Sequence, residues 1–340
     1  MSKFIKPAAQ VAQWARKIAS PKRFEWKSSS PEAQGLDSRS LAHVFEALPN
    51  YNVRSMVVVR NGYVVAEAMN EEMSVETPQV AYSLTKSVLS ALTGIAISEN
   101  KLQLDQKLSH WFPELVGVLH KEDIEIRHLL SMTSGLEWND YNNVASEQMM
   151  YSSDWTEAIL AHPAAHAPGT HFNYSNGDAH LLAVVLEKAI GQRLLDYAEA
   201  HLFAPLGISQ VQWAADPQNH QIGSWGMALP VHDMAKLGLL YLHNGEWQGQ
   251  AIVPHQWIAE TLNPKAYIRD AKGSVSLYGF MWWMKSMTKN VFNTFYAGGS
   301  FGQRIFVIPA LHLVVAMTAY SSDVDMPEQI LNSIINSVIG

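Results

Sequence analysis

The chain has 340 residues, 48% of them hydrophobic and 16% charged, with a formal net charge of -7 at pH 7 and no cysteine. That length holds one large domain or two interleaved ones, and the composition is that of a soluble globular protein. The missing cysteines exclude a disulfide framework, thiolate metal sites and a cysteine nucleophile, and the acidic balance excludes a basic nucleic-acid surface. No apolar run is long enough to span a bilayer. Residues 8–19 are interrupted by Gln10, Gln13, Arg16 and Lys17, so no secretory apolar core is present and a cytoplasmic location is expected.

Val11, Trp14, Ala15 and Ile18 share one face of a short helix that Pro21 ends, and Ser28, Ser29, Ser30 and Pro31 read as a linker. Residues 1–30 are therefore expected to form an arm. A helix over 41–48 follows. Two β-rich runs, 55–60 and 63–68, flank Asn61-Gly62, the strongest short hairpin signal. From Leu84 the apolar residues Leu84, Val88, Leu92 and Ile95 repeat at helical spacing, which predicts a core helix opened by Ser83.

Residues 124–132 read as a short helix, and 138–153, rich in Asn, Tyr, Ser and Met without clear period, as a long surface excursion. Helices are predicted over 179–190, stopped by Gly191, over 194–203, and over 231–242. Strand chemistry returns at 278–284, 303–308 and 313–320, the last two forming a hairpin around Pro309-Ala310, and 327–339 reads as an amphipathic helix. Strands at both ends with helices between imply an α+β fold: an antiparallel sheet flanked by helices, with an inserted all-helical domain. The expected division is 31–100 with 225–340 as a discontinuous sheet domain, and 101–224 as the helical domain.

Three stretches carry candidate chemistry. Ser83 and Lys86 stand three residues apart, on one side of a helix. The helix dipole and burial both disfavour an ammonium in a first turn, and a neutral amine beside a serine can take its proton. The plain alternative is an N-cap serine and a solvated lysine. The same spacing recurs at Ser98 to Lys101 and at Ser286 to Lys289, but only Ser83 precedes a long apolar helix.

The second stretch, Tyr174-Ser175-Asn176, immediately precedes the 179–190 helix, where Ser175, Asn176 and Asp178 also suit capping and turn roles. A rival Tyr-x-Asn lies at Tyr141 to Asn143. The third, residues 297–302 (Ala-Gly-Gly-Ser-Phe-Gly), reads as a glycine-rich turn entering the 303–308 strand, open to close approach by another backbone. His162, His166 and His171 recur within ten residues, but Pro163 and Pro168 break any helix that would align them, so no metal site is expected. Trp225, Trp282 and Trp283 read as core or cleft wall.

The order Ser-x-x-Lys, Tyr-x-Asn and a glycine-rich segment before a terminal hairpin resembles the serine β-lactamase and penicillin-binding protein superfamily. Within it the chain resembles the class C β-lactamase-like hydrolases, particularly the branch containing 6-aminohexanoate-dimer hydrolase and β-lactamase-fold esterases. The resemblance runs from about Pro31 to the C-terminus and includes 129–136, 172–186, 204–208 and 297–309. It implies Ser83 as nucleophile, Lys86 as general base, and Tyr174 as the proton relay to the leaving group. Asn176 would hold the substrate's carbonyl side, and the N–H groups of Ser83 and of Ser300, next to Gly299, would form an oxyanion hole. Tyr141 would meet substrate from the excursion, and Trp225 would help shape the cleft.

One departure bears on substrate. The family's third motif usually begins with lysine or histidine, and Ala297, Gly298 and Gly299 stand there in this chain. Lys86 is then the one nearby cation that the sequence names. The substitution disfavours β-lactams and D-Ala-D-Ala peptides and leaves small carboxylic esters and linear amides, hydrolysed without a cofactor. The competing expectations are a catalytically silent binding protein on the same fold and a penicillin-interacting enzyme, the latter calling for an export signal.

Overall fold

The computed structural model describes residues 24–140, 144–269, 273–286 and 293–339. Nine strands build one sheet: β1 (Lys27–Ser28), β2 (Val53–Arg60), β3 (Tyr63–Met69), β4 (Ala266–Arg269), β5 (Val275–Tyr278), β6 (Trp283–Ser286), β7 (Asn293–Gly299), β8 (Gln303–Ile308) and β9 (Leu313–Ala319). Their spatial order is β1-β3-β2-β9-β8-β7-β6-β5-β4. Every neighbouring pair is antiparallel except β1 with β3.

The central strands are continuously apolar because helices cover both faces. Alternate residues divide between the two cores. Val57, Val59, Ile305, Val307, Val314 and Ala316 face one side. Met56, Val58, Phe306, Ile308, Val315 and Met317 face the other. The β2–β3 turn takes the form its sequence demands, with Asn61 and Gly62 at φ 51° and 81°, both in the left-handed region of a two-residue hairpin.

Ten α-helices occur among the described residues: α1 (Ser38–Ala47), α2 (Thr85–Ser98), α3 (Ile126–Leu130), α4 (Val144–Tyr151), α5 (Trp155–Ala161), α6 (Asn176–Ile190), α7 (Leu194–Ala198), α8 (Val231–Leu242), α9 (His255–Thr261) and α10 (Met326–Asn336). Helices α1 and α10 pack on one face of the sheet, and α8 lies on the other, across β2, β8 and β9. The approach of α8 depends on Gly238, where an added Cβ would meet side-chain carbons of Val314 and Ile305 at 2.6 and 2.8 Å. Helices α3 to α7 come between β3 and β4 in the chain, so the all-helical insertion and the antiparallel sheet expected from the sequence are both present.

Several local expectations need correction. The run 278–284 is not one strand but the facing ends of β5 and β6, bent at 279–282 with Met281 at φ 60°. Residues 297–299 are the end of β7 rather than a turn. Their small side chains carry little β-propensity, and the pairing of β7 with β8 decides the matter. The 138–153 excursion contains α4. The predicted N-terminal helix and most of the arm lie outside the described residues; of the arm's described part, Phe24 packs on Trp26 and Trp247. No helix of the described residues is long and apolar enough to cross a membrane.

Candidate active site

Helix α2 begins at Thr85, two residues later than the sequence suggested, because Ser83 belongs to a separate 3-10 turn, Tyr82–Leu84. That turn starts from a left-handed residue, Tyr82 at φ 49°. Such a conformation is costly for a bulky side chain and turns the chain sharply just before Ser83. Lys86 then falls in the first turn of α2, whose residues 85–96 are all buried.

The Lys86 ammonium-bearing end meets three oxygens: Ser83 Oγ at 3.1 Å, Asn176 Oδ1 at 2.7 Å and the Ser224 carbonyl at 2.9 Å. None is charged. Burial accordingly lowers the Lys86 pKa from 10.5 to about 7, against a weaker opposing pull from Asp140. The count of donors matters. A neutral amine has two N–H bonds and one lone pair; with the hydrogens given to Asn176 Oδ1 and Ser224 O, which can only accept, the lone pair is left for the proton of Ser83.

Asn176 is held in the orientation this requires. Its Nδ2 donates to Ser146 Oγ at 2.9 Å, its main-chain N–H donates to Asp140 Oδ2 at 3.0 Å, and the Ser146 hydroxyl donates to Asp140 Oδ1. A carboxylate can only accept, so the donor direction runs one way, from Asn176 through Ser146 to Asp140. Asp140 and Ser146 were not singled out in the sequence. Nothing in their spacing marks them, and α4 brings Ser146 into reach.

Tyr174 immediately precedes the Ser175 N-cap of α6, whose side chain accepts from Asp178 N at 2.9 Å. The capping role read from the sequence is thus real for Ser175, while its neighbours Tyr174 and Asn176 turn to Lys86. Lys86 Nζ sits 4.8 Å from the Tyr174 ring centroid, and that ring stacks on Trp283 at 5.8 Å. Burial pushes the Tyr174 phenol up to about 12, and a hydrogen bond with Ser83 offsets part of this. Near neutrality the phenol therefore keeps its proton, which suits a relay and not a phenolate base.

The third segment closes the site. Gly299 is packed so tightly on the turn before Ser83 that an added Cβ would lie 2.3 Å from the Ala81 carbonyl and 3.2 Å from Tyr82 Cβ. The Tyr82 and Phe301 rings meet edge to face at 5.3 Å, and Phe301, like Tyr82, is left-handed, at φ 63°. Gly299 is buried and Ser300 exposed.

Trp225 is half-buried, follows the Lys86 carbonyl partner Ser224 in the chain and lies 5.8 Å from Trp155. Trp282 is not a cleft residue: it is 1% exposed and packs on Tyr241 at 4.1 Å. Tyr141 lies outside the described residues. His162 packs on Trp138 and His166 on His171. The supposition that Lys86 is the sole cation nearby is overturned by Arg304, whose Nη1 donates to the carbonyls of Gly299 and Gln303, each at 2.9 Å.

Comparison with known proteins bears on the family and the fold. The family described as Beta-lactamase matches residues 41–335. A 6-aminohexanoate-dimer hydrolase from Paenarthrobacter ureafaciens is 23% identical over 222 residues, covering 61% of this chain and 56% of that relative. The chain thus spans little more than half the length of that curated relative. Among solved structures, EstCE1, a hydrolase with promiscuous acyltransferase activity, superposes with a TM-score of 0.73 at 19% identity, covering 89% of this chain and 98% of the other. A class C beta-lactamase superposes with a TM-score of 0.68 at 19% identity, covering 89% and 96%. With residues 41–335 matched by the family and its fold shared with these structures, the chain belongs to the β-lactamase family.

Proposed function

We propose that the protein hydrolyses small carboxylic esters or linear amides through an acyl-enzyme on Ser83. The observation that carries this reading is the buried Lys86 amine, brought to a pKa of about 7 by burial, 3.1 Å from Ser83 Oγ. Neutral Lys86 accepts the hydroxyl proton as Ser83 Oγ bonds to the acyl carbon, and the carbonyl oxygen becomes an oxyanion met by the N–H groups of Ser83 and Ser300. Collapse of that intermediate breaks the bond to the leaving alkoxide or amine. Tyr174 delivers its proton to the leaving group and recovers one from Lys86. Water then adds to the acyl-enzyme by the reverse proton path, releasing the acid and restoring Ser83.

Two features support esters and linear amides over β-lactams. Ala297 stands where the family's third motif has a cation, and Arg304 spends Nη1 on two main-chain carbonyls instead of presenting it to a substrate carboxylate. The names of the relatives point the same way, one a 6-aminohexanoate-dimer hydrolase and one a hydrolase with acyltransferase activity. Trp225 would border the acyl or leaving-group pocket.

The test is a panel of short nitrophenyl esters, 6-aminohexanoate oligomers and a chromogenic cephalosporin, run beside a fluorophosphonate label. Wild-type protein should be labelled and should turn over members of the first two classes. Ser83→Ala should lose both properties. Labelling or turnover that persists unchanged in Ser83→Ala ends the proposal.

A further inference from the structure

Arg304 is a largely buried cation for which neither the sequence pattern nor the chemistry above supplies a role. It rises from β8 directly opposite Gly298 of β7. A Cβ built on Gly298 would lie 3.5 Å from Arg304 Nη1, an ordinary contact distance, so the guanidinium lies directly over this residue. The guanidinium also sits 5.5 Å from the Tyr296 ring. Nη1 donates to two main-chain carbonyls, and one of them, Gly299 O, belongs to the peptide unit that ends in the N–H of Ser300.

In a trans peptide the C=O and the N–H point in opposite directions. A guanidinium on Gly299 O therefore directs the Ser300 N–H away from Arg304. Pairing of β7 with β6 stops at Tyr296 opposite Trp283, so beyond that point the far edge of β7 is open. The turn that carries Ser83 packs against this part of the strand, as the Gly299 contact with Ala81 shows. A charged donor on the carbonyl also polarises the peptide, making its N–H a stronger donor. The rest of the turn is pinned from the same side: Gln303 Nε2 donates to Ser300 O at 2.9 Å and to Ala319 O at 2.8 Å.

We propose that Arg304 is a positioning residue of the oxyanion hole, orienting and polarising the Gly299–Ser300 peptide from the neighbouring strand. This rests on the reading of Ser83 as nucleophile and of the Ser300 N–H as an oxyanion donor. The Arg304 charge touches neither substrate nor Ser83; it acts through one peptide group. Its electrostatic reach extends to Tyr174, where it opposes the rise of the phenol's pKa.

The experiment compares wild type, Arg304→Lys, Arg304→Gln and Arg304→Met in nitrophenyl ester turnover and in affinity for a boronic acid, which mimics the tetrahedral adduct. Loss of one complete oxyanion donor costs about 10²- to 10³-fold in kcat, so a donor misaligned and depolarised in Arg304→Met should cost roughly 10- to 100-fold. KM should change little, and boronate affinity should fall in step with kcat. Arg304→Lys, which keeps charge and donor, should recover most of both. Should Arg304→Met not fold, Arg304→Gln, which keeps a donor without charge, decides: a fall in kcat with a matching fall in boronate affinity supports the proposal. Unchanged kcat in the folded neutral variants, or a kcat loss without any boronate loss, overturns it. Ser83→Ala, run in parallel, separates the two failures, because activity surviving there removes the underlying reading and not merely the part assigned to Arg304.

Discussion

Two lysines in this molecule are almost equally buried, Lys86 at 1% and Lys236 at 4% exposure, each on a helix packed in the core. Lys236 on α8 meets an opposite charge, Asp233 Oδ1 at 2.7 Å, and a main-chain carbonyl, Gly207 O at 2.8 Å. Lys86 on α2 meets only neutral oxygens, and the nearest carboxylate of its network, Asp140, is reached through Asn176 and Ser146. Burial penalises a charge in both places; the partner decides the consequence. A carboxylate in contact makes a buried lysine part of the scaffold, whereas an amide and two other uncharged oxygens leave an amine able to lose its proton near pH 7.

The sharpest way to break this contrast is to remove each amine. Lys86→Met should lower ester turnover by up to about 10⁴-fold, the upper range for a lost acid–base group, while the variant stays folded. Lys236→Met should leave turnover per folded molecule near wild type but destabilise the protein by about 3–5 kcal/mol in urea melts, since Asp233 loses a buried charge partner. Wild-type turnover in Lys86→Met would erase the distinction. Tyr174→Phe should have the next largest effect, roughly 10²-fold on kcat, because the relay is lost while the base remains. Pre-steady-state kinetics would divide the loss between acylation and deacylation; unchanged rates of both would remove Tyr174 from the proton path.

Smaller effects appear on titration. The rate should climb with pH through a midpoint of about 7, as Lys86 sheds its proton, and fall about tenfold per unit below it. Stability follows from the same shift. In the unfolded chain Lys86 returns to its ordinary 10.5, so between about 7 and 10.5 the unfolded state binds the extra proton and stability rises with pH. The stability of Lys86→Met relative to wild type should therefore be highest below pH 7 and decline toward 10.5. Urea midpoints at three pH values read this directly, and a difference that stays constant across the window would mean that the folded protein does not depress the amine.

Legibility differed along the chain for identifiable reasons. The β2–β3 hairpin was readable because Asn61-Gly62 admits few other conformations, and α8 runs over the residues its periodicity predicted, Val231–Leu242. Strand β7 was missed whole, its last residues because Ala and Gly carry no strand signature and its start because Thr294, Phe295 and Tyr296 make too short a run to stand alone, and the bend between β5 and β6 was missed because apolar residues continue through it. Asp140 and Ser146 were invisible as a proton-orienting pair because their meeting depends on where α4 packs. Arg304 was invisible because pairing of β8 with β7, and not any motif, sets it beside Gly298.

Short-range spacing along the chain set which residues could be chemically paired, Ser83 with Lys86 around one turn and Tyr174 with Asn176 across one helix start, while the resemblance to a family marked Ala297 as standing where a cation is usual. Packing between distant segments set the environment those residues have. Lys86 and Asn176 are ninety positions apart, and the amine's pKa falls to about 7 only once packing has buried it among uncharged oxygens. Desolvation is a property of the assembled volume around an atom, and no spacing within a single helix can encode it.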